Sequence, residues 1–450
     1  MKCARIVAVA AIFMGLFTGS SVQATQYIIT DLGTLGGTSS TAYGLNDNGE
    51  VVGCSNGHAF LYSAGAMQDL GTLGGTYSQA EDINNIGNLV GQSDLLGDTM
   101  QHAFFCSGGP LQDLGTLGGT CSYAYGINNG GQIIGQSFTS TGYSHAFLYS
   151  GVAMQDLGTL GGTFSCALGI NNTGKVAGYS YTTGNSAWHA FLYSAGAMQD
   201  LGTLGGTYSR AEDINDGGQV VGFTYLPGDS AQHAFLYSGS AMQDLGTLGG
   251  RDSGAQGINN SGQVVGFSHT TGNTAWHAFF YSDGIMIDLN TRLPSGTGWV
   301  LISAQAINEP GQITGFGINP DGDTHAFLLA PLIPGDANRD KQVNLQDLSI
   351  LATNYGLTGL TGDTWALGDF NDDKAVGLQD LSFLASHYGE NSGSALCCPS
   401  DYPEAFGITV AKNTEEKEPP EIGLRCGTVG LPLIVSFLFA CHGLGARIKE

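Results

Sequence analysis

The stretch HAFLYSAGAMQDLGTLGG begins at His58 and returns, letter for letter, at His189. Catalysis asks for no such echo, whereas a repeated structural unit does. The segment DLGTLGG starts at Asp31, Asp69, Asp113, Asp156, Asp200 and Asp244, with a worn copy, DLN, at Asp288. The steps are 38, 44, 43, 44, 44 and 44 residues. A second marker, HAF, begins at His58, His102, His145, His189, His233, His277 and His325. A third lies between them, as in GINNGGQIIG at Gly126 or GINNSGQVVG at Gly257. A fixed period of this length points to a solenoid or a propeller before anything else.

The grammar inside each unit separates the two. AYGIN and QIIGQS are short β-like runs joined by Asn-Gly-Gly or Asn-Ser-Gly, tight hairpin turns that need positive φ. HAFLYS and AMQDLG are two more runs, joined by Ala-Gly or Gly-Ser. Four short strands per unit is the composition of a propeller blade, and no helix-length periodic segment interrupts them. The chain opens with YIITDLG, a fourth strand with no HAF before it, and the repeats close with HAFLLAP, a third strand with no DLG after it. The expectation is an all-β, seven-bladed β-propeller over residues 25–331, with the N-terminal strand completing the last blade and removing an exposed sheet edge. The echoed segment then reads as two blades presenting the same inner hairpin and the same inter-blade turn.

The HAF and DLGTLGG markers resemble the HAF-repeat extracellular proteins of bacteria, over roughly Tyr27 to Pro331. The resemblance implies an extracellular location and a β-propeller-like fold more than an activity.

Seven His and seven Asp at matching blade positions invite a metal or catalytic reading. A catalytic pair is made once, in one asymmetric cleft, so these residues read as structural hydrogen-bonding groups, and no catalytic residue is assigned. Function is expected where the repeats differ. The loops before HAF run from CSNG in the first blade to YSYTTGNSAW and FSHTTGNTAW, and they should cluster on one rim. Trp188 and Trp276, with Tyr143, Tyr181 and Tyr225, suit glycan or protein binding there. The plainer reading is that the two Trp pack under their own loops.

After residue 331 the composition changes. GDANRDKQVNLQDLSILATNYG and GDFNDDKAVGLQDLSFLASHYG are two copies of one unit. Oxygen donors at loop positions 1, 3, 5 and 12, a backbone carbonyl at 7 and a position 9 that often acts through water are what Ca²⁺ requires. The first loop supplies Asp336, Asn338, Asp340, Gln342, Asn344 and Asp347; the second supplies Asp369, Asn371, Asp373, Ala375, Gly377 and Asp380. An apolar helix, LSILATNY or LSFLASHY, follows each loop. The pair resembles a type I dockerin, a small α-helical, paired EF-hand-like calcium module, expected over 332–390. That resemblance implies a cohesin-like protein partner. Lys341 and Lys374 stand where position 6 is usually Gly, and Leu345, Gln346, Leu378 and Gln379 replace the hydroxyl pair of cellulosomal examples.

The ends read as targeting segments. Lys2 and Arg5, an apolar run and SVQA form an export signal over 1–24, against the alternative of an uncleaved anchor. Residues 391–450 faintly resemble a Pro-Glu-Pro sorting tail, with a short apolar run before Arg447 and Lys449; the alternative is a disordered tail. Of nine Cys, eight remain after Cys3 leaves with the signal, and their irregular placement is no disulfide framework. A net charge of −24 argues against nucleic-acid binding. The sequence therefore predicts a secreted or cell-surface, non-catalytic binding or structural protein with a Ca²⁺-dependent docking module. The alternative is an extracellular polysaccharide-degrading enzyme of glycoside hydrolase type. Its expected mark is a carboxylate pair confined to one or two blades, for which Asp229, Asp321 and Asp323 are weak candidates.

Overall fold

A computed structural model describes residues 26–340, 342–360, 364–371 and 373–389. The export signal, the tail after 389 and Lys341 lie outside the described residues. Tyr27–Pro331 forms one compact unit. It contains seven four-stranded antiparallel sheets, and six of them use four consecutive strands. Blade 1, for example, consists of Ser40–Leu45, Val51–Ser55, His58–Ser63 and Ala66–Asp69. Blade 7 is spliced as expected: Val300–Ile307, Ile313–Ile318 and Thr324–Pro331 are completed by Tyr27–Asp31, with Tyr27 opposite Pro331 and Asp31 opposite Phe327.

One expectation is corrected. The HAF hairpin is the outer pair of each blade, because the AYGIN-type strand lines the axis. Crowding explains the order. Seven strands can approach one axis only if their side chains leave room there, and a Cβ on Gly44 would stand 2.8 Å from the Asp82 Cα of the next blade. The AMQD strand carries mostly exposed residues and suits the outside.

The HAF phenylalanines, Phe60, Phe104, Phe147, Phe191, Phe235, Phe279 and Phe327, are all fully buried between sheets. Each lies over a glycine of the second strand. At Gly135 a Cβ would meet the Tyr123 carbonyl oxygen at 1.9 Å and the Phe147 ring at 2.9 Å, so ring and glycine form one packing unit. The alanine before the phenylalanine donates its N–H to a serine of the next blade in six of the seven junctions, as from Ala59 to Ser78 Oγ at 2.9 Å.

The INN turns lock the ring at one mouth of the channel. Asn46, Asn84, Asn128, Asn171, Asn215, Asn259 and Asn308 each donate a side-chain N–H to the carbonyl of the corresponding Asn one blade on, and Asn308 returns to Asn46. A second closed circuit runs beside it. The backbone N–H of each following residue donates to the side-chain oxygen of its counterpart, from Asp47 to Asn85 and finally from Glu309 back to Asp47. Replacing Asn128 by Ala leaves buried partners unpaired, and we expect a loss of ~1–3 kcal/mol in chemical denaturation. An unchanged denaturation midpoint contradicts the role given to this circuit.

Among the described residues beyond 331 there are two α-helices, α1 (Leu345–Asn354) and α2 (Leu378–His387), and a short 3-10 turn at Trp365–Leu367. Leu348, Leu351, Leu381 and Leu384 are buried, and the Trp365 indole donates to the Asp336 carbonyl at 2.7 Å.

Candidate functional site

The recurring His and Asp are joined within each blade. The imidazole Nδ1 donates to the DLG carboxylate in His58–Asp69, His102–Asp113, His145–Asp156, His189–Asp200, His233–Asp244, His277–Asp288 and, across the splice, His325–Asp31, at 2.7–2.9 Å. Six of those carboxylates also accept the N–H of the glycine two residues on, as Asp69 does from Gly71 at 2.8 Å. The hydrogen bond it donates to Asp244 raises the His233 pKa despite partial burial. Burial works against the Asp244 charge, but His233 and the Gly246 amide outweigh it and lower its pKa. These pairs pin the outer strands and leave no repeated cleft for chemistry.

Asymmetry begins on the axis. The residue after the recurring Ala of each first strand faces the channel: Tyr43, Glu81, Tyr125, Leu168, Glu212, Gln256 and Gln305. Together with neighbouring groups they line a cavity of about 490 Å³. Only blades 2 and 5 spell AEDIN, placing Glu81–Asp82 and Glu212–Asp213 in its wall. Burial pushes Glu81, Asp82 and Glu212 up to about 7 and Asp213 to about 6. Both aspartates bridge blades. Asp82 accepts from Ile83 and from Ile127 of blade 3, both at 2.8 Å; Asp213 accepts from Ile214 at 2.7 Å and from Ile258 of blade 6 at 3.0 Å. Glu81 accepts from the amides of Gln79 at 2.7 Å and Gln92 at 3.0 Å. Glu212 pairs with Arg210 Nε at 2.8 Å and is only 11% exposed.

Arg210 also borders a second cavity, of about 330 Å³, between blades 4 and 5. Phe164, Tyr179, Tyr181 and Trp188 come from blade 4; Phe223, Tyr225 and Gln232 come from blade 5. Trp188 stacks on Tyr208 at 5.0 Å and meets Tyr179, Phe223 and Tyr225 edge-on. The Arg210 guanidinium lies over Tyr179 at 4.9 Å and near Phe223 at 6.0 Å. Tyr181 and Trp188 are the last cross-strand pair before the loop, so these two lining residues stand at the loop end of blade 4.

The rim residues expected to act together are thus separated. Trp188 sits in this pocket, whereas Trp276 lies in blade 6, 38% exposed, against Phe267 and His269. Tyr143 is exposed in blade 3. Asp229 holds its loop by accepting from Thr207 N–H at 2.8 Å, and Asp321 and Asp323 belong to a turn organised by Asn319. Sequence reasoning passed over Glu81, Asp82, Arg210, Glu212 and Asp213. The signal was the departure of AEDIN from AYGIN, ALGIN and AQGIN at two adjacent positions of the repeat.

In the C-terminal unit the two loops share one geometry. Asp340 N–H donates to Asp336 at 3.1 Å and Asp373 N–H to Asp369 at 3.2 Å. Asn338 and Asn371 accept from the same two amides at 3.0 Å. Gln342 and Ala375 N–H donate to Asp340 and Asp373, both at 2.9 Å. Asn344 and Gly377 N–H donate to Asp347 and Asp380, both at 2.8 Å. Asp336, Asp347, Asp369 and Asp380 are buried. Burial, with repulsion from Asp369 and Asp373, raises the Asp380 pKa although loop amides oppose it. Lys374 takes φ +68, the left-handed geometry that glycine usually supplies at that position. Among the described residues, no three acidic, His or Cys side chains converge as a ready-made metal cluster. The donor set is nonetheless oxygen-only, in the order a Ca²⁺ loop uses, and the raised Asp380 is a charge that a cation would relieve.

No family model matches this sequence, and no curated protein matches it. Solved propellers are similar in outline. A putative TolB from Agrobacterium tumefaciens is 13% identical, with TM-score 0.36, covering 69% of this chain and 99% of that one. The β-propeller domain of the Trilobed protease from Pyrococcus furiosus is 8% identical, with TM-score 0.43, covering 68% and 97%. YCF48 from Cyanidioschyzon merolae is 10% identical, with TM-score 0.41, covering 67% and 98%.

Proposed function

We propose that this chain is a secreted or cell-surface, non-catalytic binding protein, in which the propeller takes a glycan and the C-terminal unit is a Ca²⁺-dependent docking module for a cohesin-like or other protein partner. The observation that carries the binding reading is the aromatic pocket at blades 4 and 5. It breaks the sevenfold equivalence, it includes residues at the loop end of blade 4, and its size falls in the small-ligand range of roughly 300–1,000 Å³. Export is supported by the N-terminal segment. No helix among the described residues is long and apolar enough to cross a membrane.

A second reading is favoured by the channel. Two Glu–Asp pairs with raised pKa values in a cavity are what a polysaccharide-cleaving acid–base enzyme needs. Against it, both aspartates hold backbone amides and Glu212 holds Arg210. Incubating residues 25–450 with immobilised polysaccharides separates the readings. Retention without release of reducing ends is expected. Release of reducing ends that is abolished by Glu81→Gln or Glu212→Gln supports the enzyme instead.

The docking reading has its own test. Calorimetry should detect Ca²⁺ binding at millimolar ion, and Asp336→Ala with Asp369→Ala should remove it. At 100 times its dissociation constant, calcium should stabilise the C-terminal unit by ~2.7 kcal/mol. Absence of calcium heat in the parent chain overturns the docking assignment, with Lys341 and Lys374 the residues to suspect.

A further inference from the structure

We infer that the pocket between blades 4 and 5 selects an acidic pyranose, a uronate, with its carboxylate on Arg210 and its ring against Trp188. The inference rests on reading this pocket as the propeller's glycan site and adds the chemical class of the sugar.

Arg210 carries the argument. Its guanidinium lies over the Tyr179 ring at 4.9 Å and near the Phe223 ring at 6.0 Å. Glu212 occupies the Nε side at 2.8 Å. Among the described residues Arg210 is the one basic residue lining the pocket, and its buried Nε, though close to Glu212, has no aligned hydrogen-bond partner. Burial works against its charge, but Glu212 outweighs that effect and keeps the guanidinium protonated. A guanidinium held against aromatic rings and beside one carboxylate carries further in-plane N–H donors, the fork that a carboxylate matches with two parallel hydrogen bonds.

The rest of the lining asks for a polyhydroxylated ring rather than a plain aromatic acid. Tyr181 and Tyr225 bring hydroxyls and Gln232 an amide, in addition to the flat faces of Trp188 and Phe164. Rings with polar tips pack against the C–H face of a sugar and hydrogen-bond its hydroxyls. In blade 2, Gln79 takes the place of Arg210 beside the same AEDIN motif. The cationic version of the repeat therefore occurs where the aromatics gather.

The test is calorimetry on residues 25–450 with oligouronates, the same oligomers after carboxyl reduction, and an aromatic carboxylate such as phenylpropionate. The expected result is uronate binding that weakens about tenfold or more on carboxyl reduction and equally in Arg210→Gln, while Trp276→Ala leaves it unchanged. Equal affinity for acidic and reduced sugars overturns the uronate assignment and leaves the glycan site standing. Stronger binding of the aromatic acid overturns the sugar. Binding of none overturns both the assignment and the glycan reading. The ligand comparison uses the unmodified protein, so it decides the matter even where Arg210→Gln fails to fold.

Discussion

Deleting Tyr27–Leu32 should open the ring and lower the melting temperature by about 10 °C or more, with soluble protein lost to aggregates on size-exclusion chromatography. The segment supplies five ladder pairs to Thr324–Pro331 and two nearly buried side chains, Tyr27 and Leu32. It also supplies Asp31, which holds His325, and the Leu32 N–H, which donates to the Ala326 carbonyl. Burying two such side chains stabilises by ~3–6 kcal/mol, a large share of the ~5–15 kcal/mol by which domains are stable. The deletion also bares the edge of the blade 7 sheet. A monomeric variant that melts with the parent contradicts the splice.

The channel carboxylates should make the propeller less stable as pH rises from about 5 to 8. Glu81, Asp82 and Glu212 titrate near 7 when folded and Asp213 near 6, whereas free carboxyls titrate near ~4. Between those values the folded chain holds more protons than the unfolded one, so stability falls with rising pH. The contribution is full below the unfolded pKa and is lost as pH passes through the folded one. Asp69 and Asp244 act oppositely, since their net-lowered pKa values add stability that disappears in acid. The optimum should therefore lie in mildly acidic solution. Glu81→Gln keeps the shape of the site without the charge and should recover on the order of 3 kcal/mol at pH 8 relative to the parent. Denaturation at several pH values reads this directly. A parent chain that gains stability up to pH 8, or an unaltered profile in Glu81→Gln, contradicts the assignment of buried charge to Glu81.

What recurs along the chain was readable from sequence, and what locks one blade to the next was not. The blade count, the splice and the His–Asp pairs follow from markers that repeat at fixed spacing, because each is made inside one blade or one hairpin. The Asn circuit is invisible in one repeat: Asn46 and Asn84 meet because their blades are neighbours. The order of strands from the axis was misread for a related reason. HAF looks like a core motif, and its Phe is indeed buried, but the strand that crowds around the axis is the one with a buried Ala followed two residues on by Gly in four of the seven blades. The pocket was half readable. Trp188 stood out as a loop aromatic, while Arg210 and the AEDIN pairs, lying inside strands, did not draw attention as departures from the repeat.

The most direct test of the claim that the non-repeating residues make the site is a glycan array probed with residues 25–450 as the parent, Trp188→Ala and Trp276→Ala chains, each checked for folding by circular dichroism. Trp188 touches four rings, so its loss should cost some stability as well as the ligand, whereas Trp276 should be dispensable for both. The account predicts glycan signal from the parent and from Trp276→Ala, and none from a folded Trp188→Ala chain. A folded Trp188→Ala chain that still binds, or a signal lost only in Trp276→Ala, contradicts it.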